Sequence, residues 1–361
     1  MDSKVAVIGA GAWGTAVAKV IAENKRAAGQ TEDVVLWTRK RTQAVEITEA
    51  RTNTRYLPGV ALPNNIRADT DICAVADGKD FLILATPSLY LLDTAKQILT
   101  LPSIREGQTQ IAVLTKGFLP GKDGPRLIVE TLEDYLPGFY RQSLVYIAGP
   151  SHAEEVSRSK ITGLIAASEN AKNSFRFRDL IQNNRMLVFS SFDVRGVQVA
   201  AATKNVIAIA FGILDALKAR DETALGAAFG DGTSSLLLAA GLNEIQMLGR
   251  AMGATHPETF TSISGVGDLD VTCRSVFGRN RRFGRDVIEK NILYRFQNID
   301  DLIGRIGEVG YLPEGVAAAK YVRILAEKHG LKMPISTGIY RILNRELECE
   351  AFIDNFVGGL H

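Results

Sequence analysis

The chain has 361 residues, 46% of them hydrophobic and 23% charged, with 42 Lys and Arg against 40 Asp and Glu. That length exceeds what one core usually holds, so two domains are expected, and the composition is that of a globular rather than a disordered chain. The formal net charge of only +2 excludes the broad basic excess of a duplex nucleic-acid binder, so nucleic acid is not an expected partner.

In chain order, the first half alternates short apolar runs with longer amphipathic ones. Strands are expected at 4–8, 34–38, 80–86, 110–115, 144–148, 163–167 and 186–190, all rich in Val, Ile and Leu with little alternation. Such runs suit strands buried on both faces of a parallel sheet. Helical spacing between them, at 13–24, 89–99 and 124–135, implies right-handed crossovers in a doubly wound α/β sheet. Near Asp193 the pattern becomes helical, with stretches at 194–217, 225–252, 282–289, 299–306, 314–328 and 335–344. Gly253 and Gly330 fit helix C-caps, and Pro313 and Pro334 fit helix starts. The expected organisation is a Rossmann-type doubly wound α/β domain over 1–190 and an all-α domain over 191–361.

Cys73, Cys273 and Cys349 are far apart with no CxxC pair, so neither a metal site nor a disulfide framework is expected, and a reducing compartment fits. The N-terminus runs directly into strand pattern, and no apolar run reaches ~18 residues. A cytoplasmic location without an integral membrane segment is the resulting expectation.

The first motif is Gly9-Ala10-Gly11-Ala12-Trp13-Gly14, a GxGxxG directly after a strand and before a helix. Gly9 suits the tight turn, Gly11 a close backbone approach to a pyrophosphate, and Gly14 close helix–strand packing, with the helix N-terminus facing the anion. At the end of the second strand, where an NAD site commonly carries an acid, the chain reads Thr38-Arg39-Lys40-Arg41. Arg39 and Lys40 suit either a 2′-phosphate or a solvated basic turn, so NADP is favoured modestly over NAD.

Four further segments are hard to explain by packing alone. Lys116 follows a strand, where ligands bind in open α/β sheets. Gly149-Pro150-Ser151-His152-Ala153-Glu154 follows another strand, and Ser151 with Glu154 has the spacing of a capping box. Lys204, beside Asn205, lies within a long apolar helical stretch; a desolvated ammonium there suits proton exchange, although a long stem can also reach solvent. Finally, 262–285 is a glycine-rich loop with Asp268 and Thr272, followed by five arginines within twelve residues, Arg274, Arg279, Arg281, Arg282 and Arg285. Guanidinium forks bind phosphate in bidentate fashion, which points to a small phosphorylated substrate.

Taken together, GAGAWGTA at 9–16, LTKG at 114–117, AGPSHAEEV at 148–156, TKNVIAIAFGI at 203–213, SGVGDLDVTCRSVFGRNRRFG at 264–284 and EGV at 314–316 resemble NAD(P)-dependent glycerol-3-phosphate dehydrogenase of the bacterial branch, in order and across the whole chain. The resemblance implies interconversion of dihydroxyacetone phosphate and sn-glycerol 3-phosphate, with Lys204 as acid/base, Asp268 orienting it and Lys116 and Asn205 holding substrate. It also implies that Gly149, Ser151, Thr272, Gly278, Arg279 and Asn280 surround the substrate, and that Trp13, Ala153, Arg279 and Glu314 contact the cofactor. A homodimer and a role in supplying glycerol 3-phosphate for phospholipid synthesis follow from the same resemblance, with Leu236–Ala240 as an apolar face. Gly278 stands where many members have serine, 230–238 departs from the usual pattern, and the loop between Gln30 and Leu36 is longer than usual. The rivals are a related dehydrogenase acting on another small acid, which has no need of the arginine-rich loop, and a non-catalytic dinucleotide sensor, which would not retain Lys116, Lys204, Asn205, Asp268 and Arg279 together.

Overall fold

The computed structural model describes residues 2–220 and 224–352. The chain forms two compact units, Met1–Leu119 with Leu127–Val194, and Pro120–Arg126 with Arg195–His361. The grouping of 120–126 with the second unit is a feature that a single boundary does not anticipate. Residues 353–361 of the expected helical domain lie outside the described residues.

The first unit is built on eight strands: β1 (Val5–Ile8), β2 (Val34–Trp37), β3 (Ile66–Asp69), β4 (Phe81–Leu84), β5 (Gln110–Val113), β6 (Val145–Ala148), β7 (Thr162–Ala167) and β8 (Met186–Ser191). Their order in the sheet is β8-β7-β6-β5-β4-β1-β2-β3, so the strand order reverses beside β1. β1, β4 and β6 are buried along their whole length, as their near-continuous Val, Ile and Leu content requires. Each such side chain contributes about 1.5–3 kcal/mol of burial. Two differences from the sequence reading stand out. β3 was not anticipated, because Ile-Arg-Ala-Asp at a sheet edge buries only Ile66. And the sheet is not wholly parallel: β7 pairs antiparallel with β6, while β8 runs parallel to β7.

Helix α1 (Ala12–Ala27) follows β1 and packs against α2 (Ala171–Ile181) and the short helix Ala153–Val156. The expected helix at 124–135 is shortened to Ile128–Glu133, since Gly124 takes a left-handed φ of +108° and Pro125 follows it.

The second unit is helical: α3 (Val194–Lys218), α4 (Asp231–Ala251), α5 (Asp268–Arg274), α6 (Arg279–Glu289), α7 (Glu314–Lys328) and α8 (Pro334–Leu343), with shorter turns between. The single helix expected over 225–252 is instead Ala224–Ala227 followed by α4, which starts after an extended Gly230. The 230–238 segment is therefore the N-cap and first part of α4, exposed at Asp231, Gly232, Ser235 and Leu236 but burying Leu237, with Gly230 N–H donating to Thr233 Oγ1 at 3.1 Å.

The sequence reading found no apolar run of membrane-spanning length, yet α3 reaches that length and hydropathy. Its apolar window is entirely buried, which makes it the core helix of the second unit. It meets α6 where two glycines face each other: a Cβ on Gly212 would overlap the Arg281 carbonyl, and one on Gly284 the Ile209 carbonyl. The absence of both side chains lets the two backbones touch, which fixes the N-terminus of α6 relative to the face of α3.

Candidate functional site

In the first unit, β1, β2, β4, β5 and β6 are mutually parallel, so the residues after them share one rim. That rim carries the glycine loop, Arg39 and Lys40, Lys116, and Gly149 with Ser151 and Ala153. Gly9 has φ +124°, and a Cβ there would stand 2.9 Å from the Ala85 carbonyl group. A Cβ on Gly14 would overlap the Gly9 carbonyl oxygen, so the first turn of α1 rests directly on the loop. By contrast, a Cβ on Gly11 would meet nothing within 4 Å, so the backbone there faces open space. The first turn of α1, starting at Ala12, holds no acidic residue, while Lys25 and Arg26 occupy its last turn, so its positive end is uncompensated by carboxylates of its own. Trp13 Nε1 is buried without a hydrogen-bond partner among the described residues.

Arg39 and Lys40 are exposed and make no ion pair among the described residues. The nearest acid in register, Asp69 on β3 opposite Trp37, turns its carboxylate to its own loop, accepting from Thr70 N at 2.5 Å and Asp71 N at 3.0 Å. Lys116 is half-buried, just ahead of Gly117 with φ +130°. The capping box expected of Ser151 and Glu154 is absent. Ser151 Oγ donates to the Gly149 carbonyl at 3.2 Å instead, and the helix begins one residue later, at Ala153, with His152 as an N-cap that makes no side-chain cap.

Sequence reasoning missed an amide network under this rim, made by the buried Asn53 and the half-buried Gln43. Gln43 Nε2 donates to the Ala10 carbonyl at 2.7 Å and to Asn53 Oδ1 at 3.1 Å. Asn53 Nδ2 donates to the same Ala10 carbonyl at 3.1 Å and to Thr15 Oγ1 at 2.8 Å, and Thr38 Oγ1 donates to Gln43 Oε1 at 2.5 Å. No periodicity marks residues 43 or 53 as interior; only the fold brings them beneath the glycines.

In the second unit, Lys204 on α3 is only 4% exposed. Its ammonium donates to Asp268 Oδ1 and Thr272 Oγ1, each at 2.6 Å. Asp268 and Thr272 are one turn apart on α5, and Thr272 Oγ1 in turn donates to the Asp268 carbonyl at 2.6 Å. The lysine thus does not stand alone in an apolar helix: a carboxylate 1% exposed compensates its charge. Such a pair is held by geometry, and removing one partner leaves a buried charge at a cost of about 3–5 kcal/mol. Cys273, next in the chain, has its thiol pushed far up by burial and stays protonated.

The neighbouring candidates are brought together by helix contacts. Asn280 Oδ1 accepts from Gly315 N at 2.9 Å, which caps the start of α7 beside Glu314, so this amide has a structural duty. A Cβ on Gly315 would stand 2.6 Å from the Asn205 carbonyl, so α7 packs directly on α3 there. Gly278, N-cap of α6, is buried against the end of α5.

The five arginines are not equivalent. Arg274 pairs with Asp270 at 2.6 Å and Arg281 with Asp215 at 2.5 Å. Arg285 pairs with Glu289 at 2.7 Å, and Arg282 lies over the Tyr311 ring and near Asp286. Arg279, exposed at the first turn of α6, makes no ion pair among the described residues.

Two family models match, described as the N-terminus of NAD-dependent glycerol-3-phosphate dehydrogenase over residues 4–174 and its C-terminus over residues 193–354. The chain is 53% identical over 365 residues to the glycerol-3-phosphate dehydrogenase [NAD(P)+] of Treponema denticola, covering 99% of each chain. It is 36% identical over 343 residues to the enzyme of that name from Ligilactobacillus salivarius, covering 95% and 93%. Among solved structures, glycerol-3-phosphate dehydrogenase from Coxiella burnetii superposes with a TM-score of 0.83 at 29% identity, over 99% of each chain.

Proposed function

The chain belongs to the NAD-dependent glycerol-3-phosphate dehydrogenase family of oxidoreductases, and on that premise we propose that it interconverts dihydroxyacetone phosphate and sn-glycerol 3-phosphate with Lys204 as the general acid/base. The observation that carries this reading is the buried Lys204–Asp268–Thr272 cluster. A cation held by two side-chain acceptors has a fixed direction, which general acid catalysis requires.

The first unit fits the dinucleotide in three respects: open space beside Gly11, an α1 N-terminus free of its own acids, and the unpartnered indole N–H of Trp13. When bound, the reduced nicotinamide supplies the hydride that adds to the C2 carbonyl carbon. Lys204 donates its proton to the carbonyl oxygen as the carbon–oxygen π bond breaks, and as a neutral amine takes it back from the C2 hydroxyl in the reverse direction. Asp268 keeps the ammonium aimed and stabilises its charge before transfer. Lys116, Gly149, Ser151, Asn205, Thr272, Gly278 and Asn280 surround the substrate in this reading. Arg279 takes the phosphate, because the other four arginines are occupied by carboxylates or by a ring. Arg39 and Lys40 favour NADP over NAD by facing the 2′-phosphate, with Ala153 and Glu314 as further cofactor contacts. The first unit serves as the dinucleotide domain and the second as the catalytic one.

The same reading places the enzyme in the cytoplasm, in keeping with three free cysteines, as a source of glycerol 3-phosphate for phospholipid synthesis. It takes the homodimer as its state, Leu236 on α4 being 44% exposed. The test is the absorbance of NADPH, then NADH, on adding dihydroxyacetone phosphate to the purified protein. Rapid loss with NADPH the faster is expected; no loss with either, in a protein shown to bind dinucleotide, would overturn the substrate assignment. A monomeric mass by light scattering at micromolar concentration would overturn the dimer.

A further inference from the structure

We infer that Asn53 and Gln43 are positioning residues for the dinucleotide, which hold the Ala10–Gly11 peptide so that its N–H faces the ligand. The inference rests on the reading of the glycine loop as the pyrophosphate site.

A trans peptide is planar, and its C=O and N–H point in opposite directions. The Ala10 carbonyl is drawn inward by two side-chain amides, Gln43 Nε2 at 2.7 Å and Asn53 Nδ2 at 3.1 Å. The Gly11 N–H must therefore point outward, to the side where a Cβ on Gly11 would meet nothing. Without those two donors the peptide is free to turn its oxygen outward, where it would repel a phosphate.

The amides are themselves fixed. Asn53 is fully buried and donates also to Thr15 Oγ1 on α1 at 2.8 Å. Gln43 Oε1 accepts from Thr38 Oγ1 at 2.5 Å, and Thr38 Oγ1 accepts from Lys40 N at 3.4 Å. One network thus joins the glycine loop, the first turn of α1, and the basic turn after β2. Neither amide touches the dinucleotide in this account; both act through the Ala10 peptide.

The test separates positioning from simple stability. Asn65 provides the control: it is a buried amide that donates to the Ala22 carbonyl, further along the same helix and away from the glycine loop, at 2.9 Å. Dissociation constants for NADPH and NADH are measured by nucleotide fluorescence on Asn53→Ala, Gln43→Glu and Asn65→Ala, beside thermal melts of the free proteins. Loss of an outer-layer orienting bond commonly weakens a ligand by about 10- to 100-fold. Asn53→Ala and Gln43→Glu are expected to weaken both nucleotides by that factor, with kcat at saturating cofactor and the KM for dihydroxyacetone phosphate nearly unchanged. Asn65→Ala is expected to lower the melting temperature and leave nucleotide affinity alone. Equal loss of affinity in all three variants, or none in the first two, would overturn the inference. If Asn53→Ala does not fold, Gln43→Glu, which keeps the buried Asn53, decides alone. Failure of the wild-type protein to bind either nucleotide would instead sink the site reading on which the inference stands.

Discussion

Glu244 on α4 offers the sharpest stability test. Its carboxyl is 3% exposed and accepts from Ile335 N at 2.6 Å, Ser336 N at 2.9 Å and Ser336 Oγ at 2.6 Å. It therefore caps the start of α8, where Pro334 supplies no N–H. Glu244→Ala strands two buried backbone donors and a hydroxyl; at about 1–3 kcal/mol for each unsatisfied group, a loss of about 3–9 kcal/mol is expected. Burial pushes the carboxyl up to about 7 from an ordinary 4.5, against the three donors that pull it down. The native protein then holds a proton that the unfolded chain has released, so stability falls as pH rises from about 4.5 to about 7 and is flat beyond. The span corresponds to about 3 kcal/mol. Glu244→Gln, neutral at every pH, removes that slope. Thermal melts of wild type and Glu244→Gln at pH 5 and pH 8 read it directly: the variant should lag at pH 5 and close the gap at pH 8. A melting difference that is the same at both pH values would refute the reasoning.

Lys204→Met should lower kcat by about 100-fold or more while nucleotide binding by fluorescence persists, the usual worth of a general acid. Asp268→Asn should lower kcat and also cost stability, because Lys204 loses its counter-charge; a variant with wild-type melting and turnover would contradict the pairing. Arg279→Ala should reduce kcat/KM for dihydroxyacetone phosphate by about 10- to 100-fold, the value of a charge-assisted contact, whereas Arg285→Ala should stay near wild type. Arg39→Ala should weaken NADPH and leave NADH affinity nearly constant, as read from paired dissociation constants.

What could be read in advance followed the strength of the local pattern. β1, β4 and β6 were legible because strands buried on both faces leave an uninterrupted apolar run, and α3 because its apolar residues cover every face. β3 was not, for it buries a single side chain, and α2 was not, since its polar sequence buries only Ser174, Phe177 and Ile181. The site divides the same way. Lys204 announced itself as a charge in an apolar helix, but its acceptors on α5 lie more than sixty positions away and only folding joins them. The arginines show the opposite case. Asp270 with Arg274, Arg282 with Asp286 and Arg285 with Glu289 stand at helical i,i+4 spacing, so the occupation of three of the five was readable from their neighbours. Asn53 and Gln43 gave no signal, because a polar residue becomes interior there only through tertiary packing.

The excursion of Pro120–Arg126 into the second unit has a consequence for how the chain is made. The backbone passes between the two units three times rather than once, at 119–120, 126–127 and 194–195. A ribosome that has delivered everything up to Val194 has therefore released the whole sheet, together with seven residues whose partners are still unsynthesised. Lys328, whose ammonium donates to the Asp123 carbonyl, emerges some two hundred residues after that carbonyl. Truncation at the end of the sheet would leave the same segment without its partners permanently, so an isolated first half is a poorer reagent than its self-contained sheet suggests.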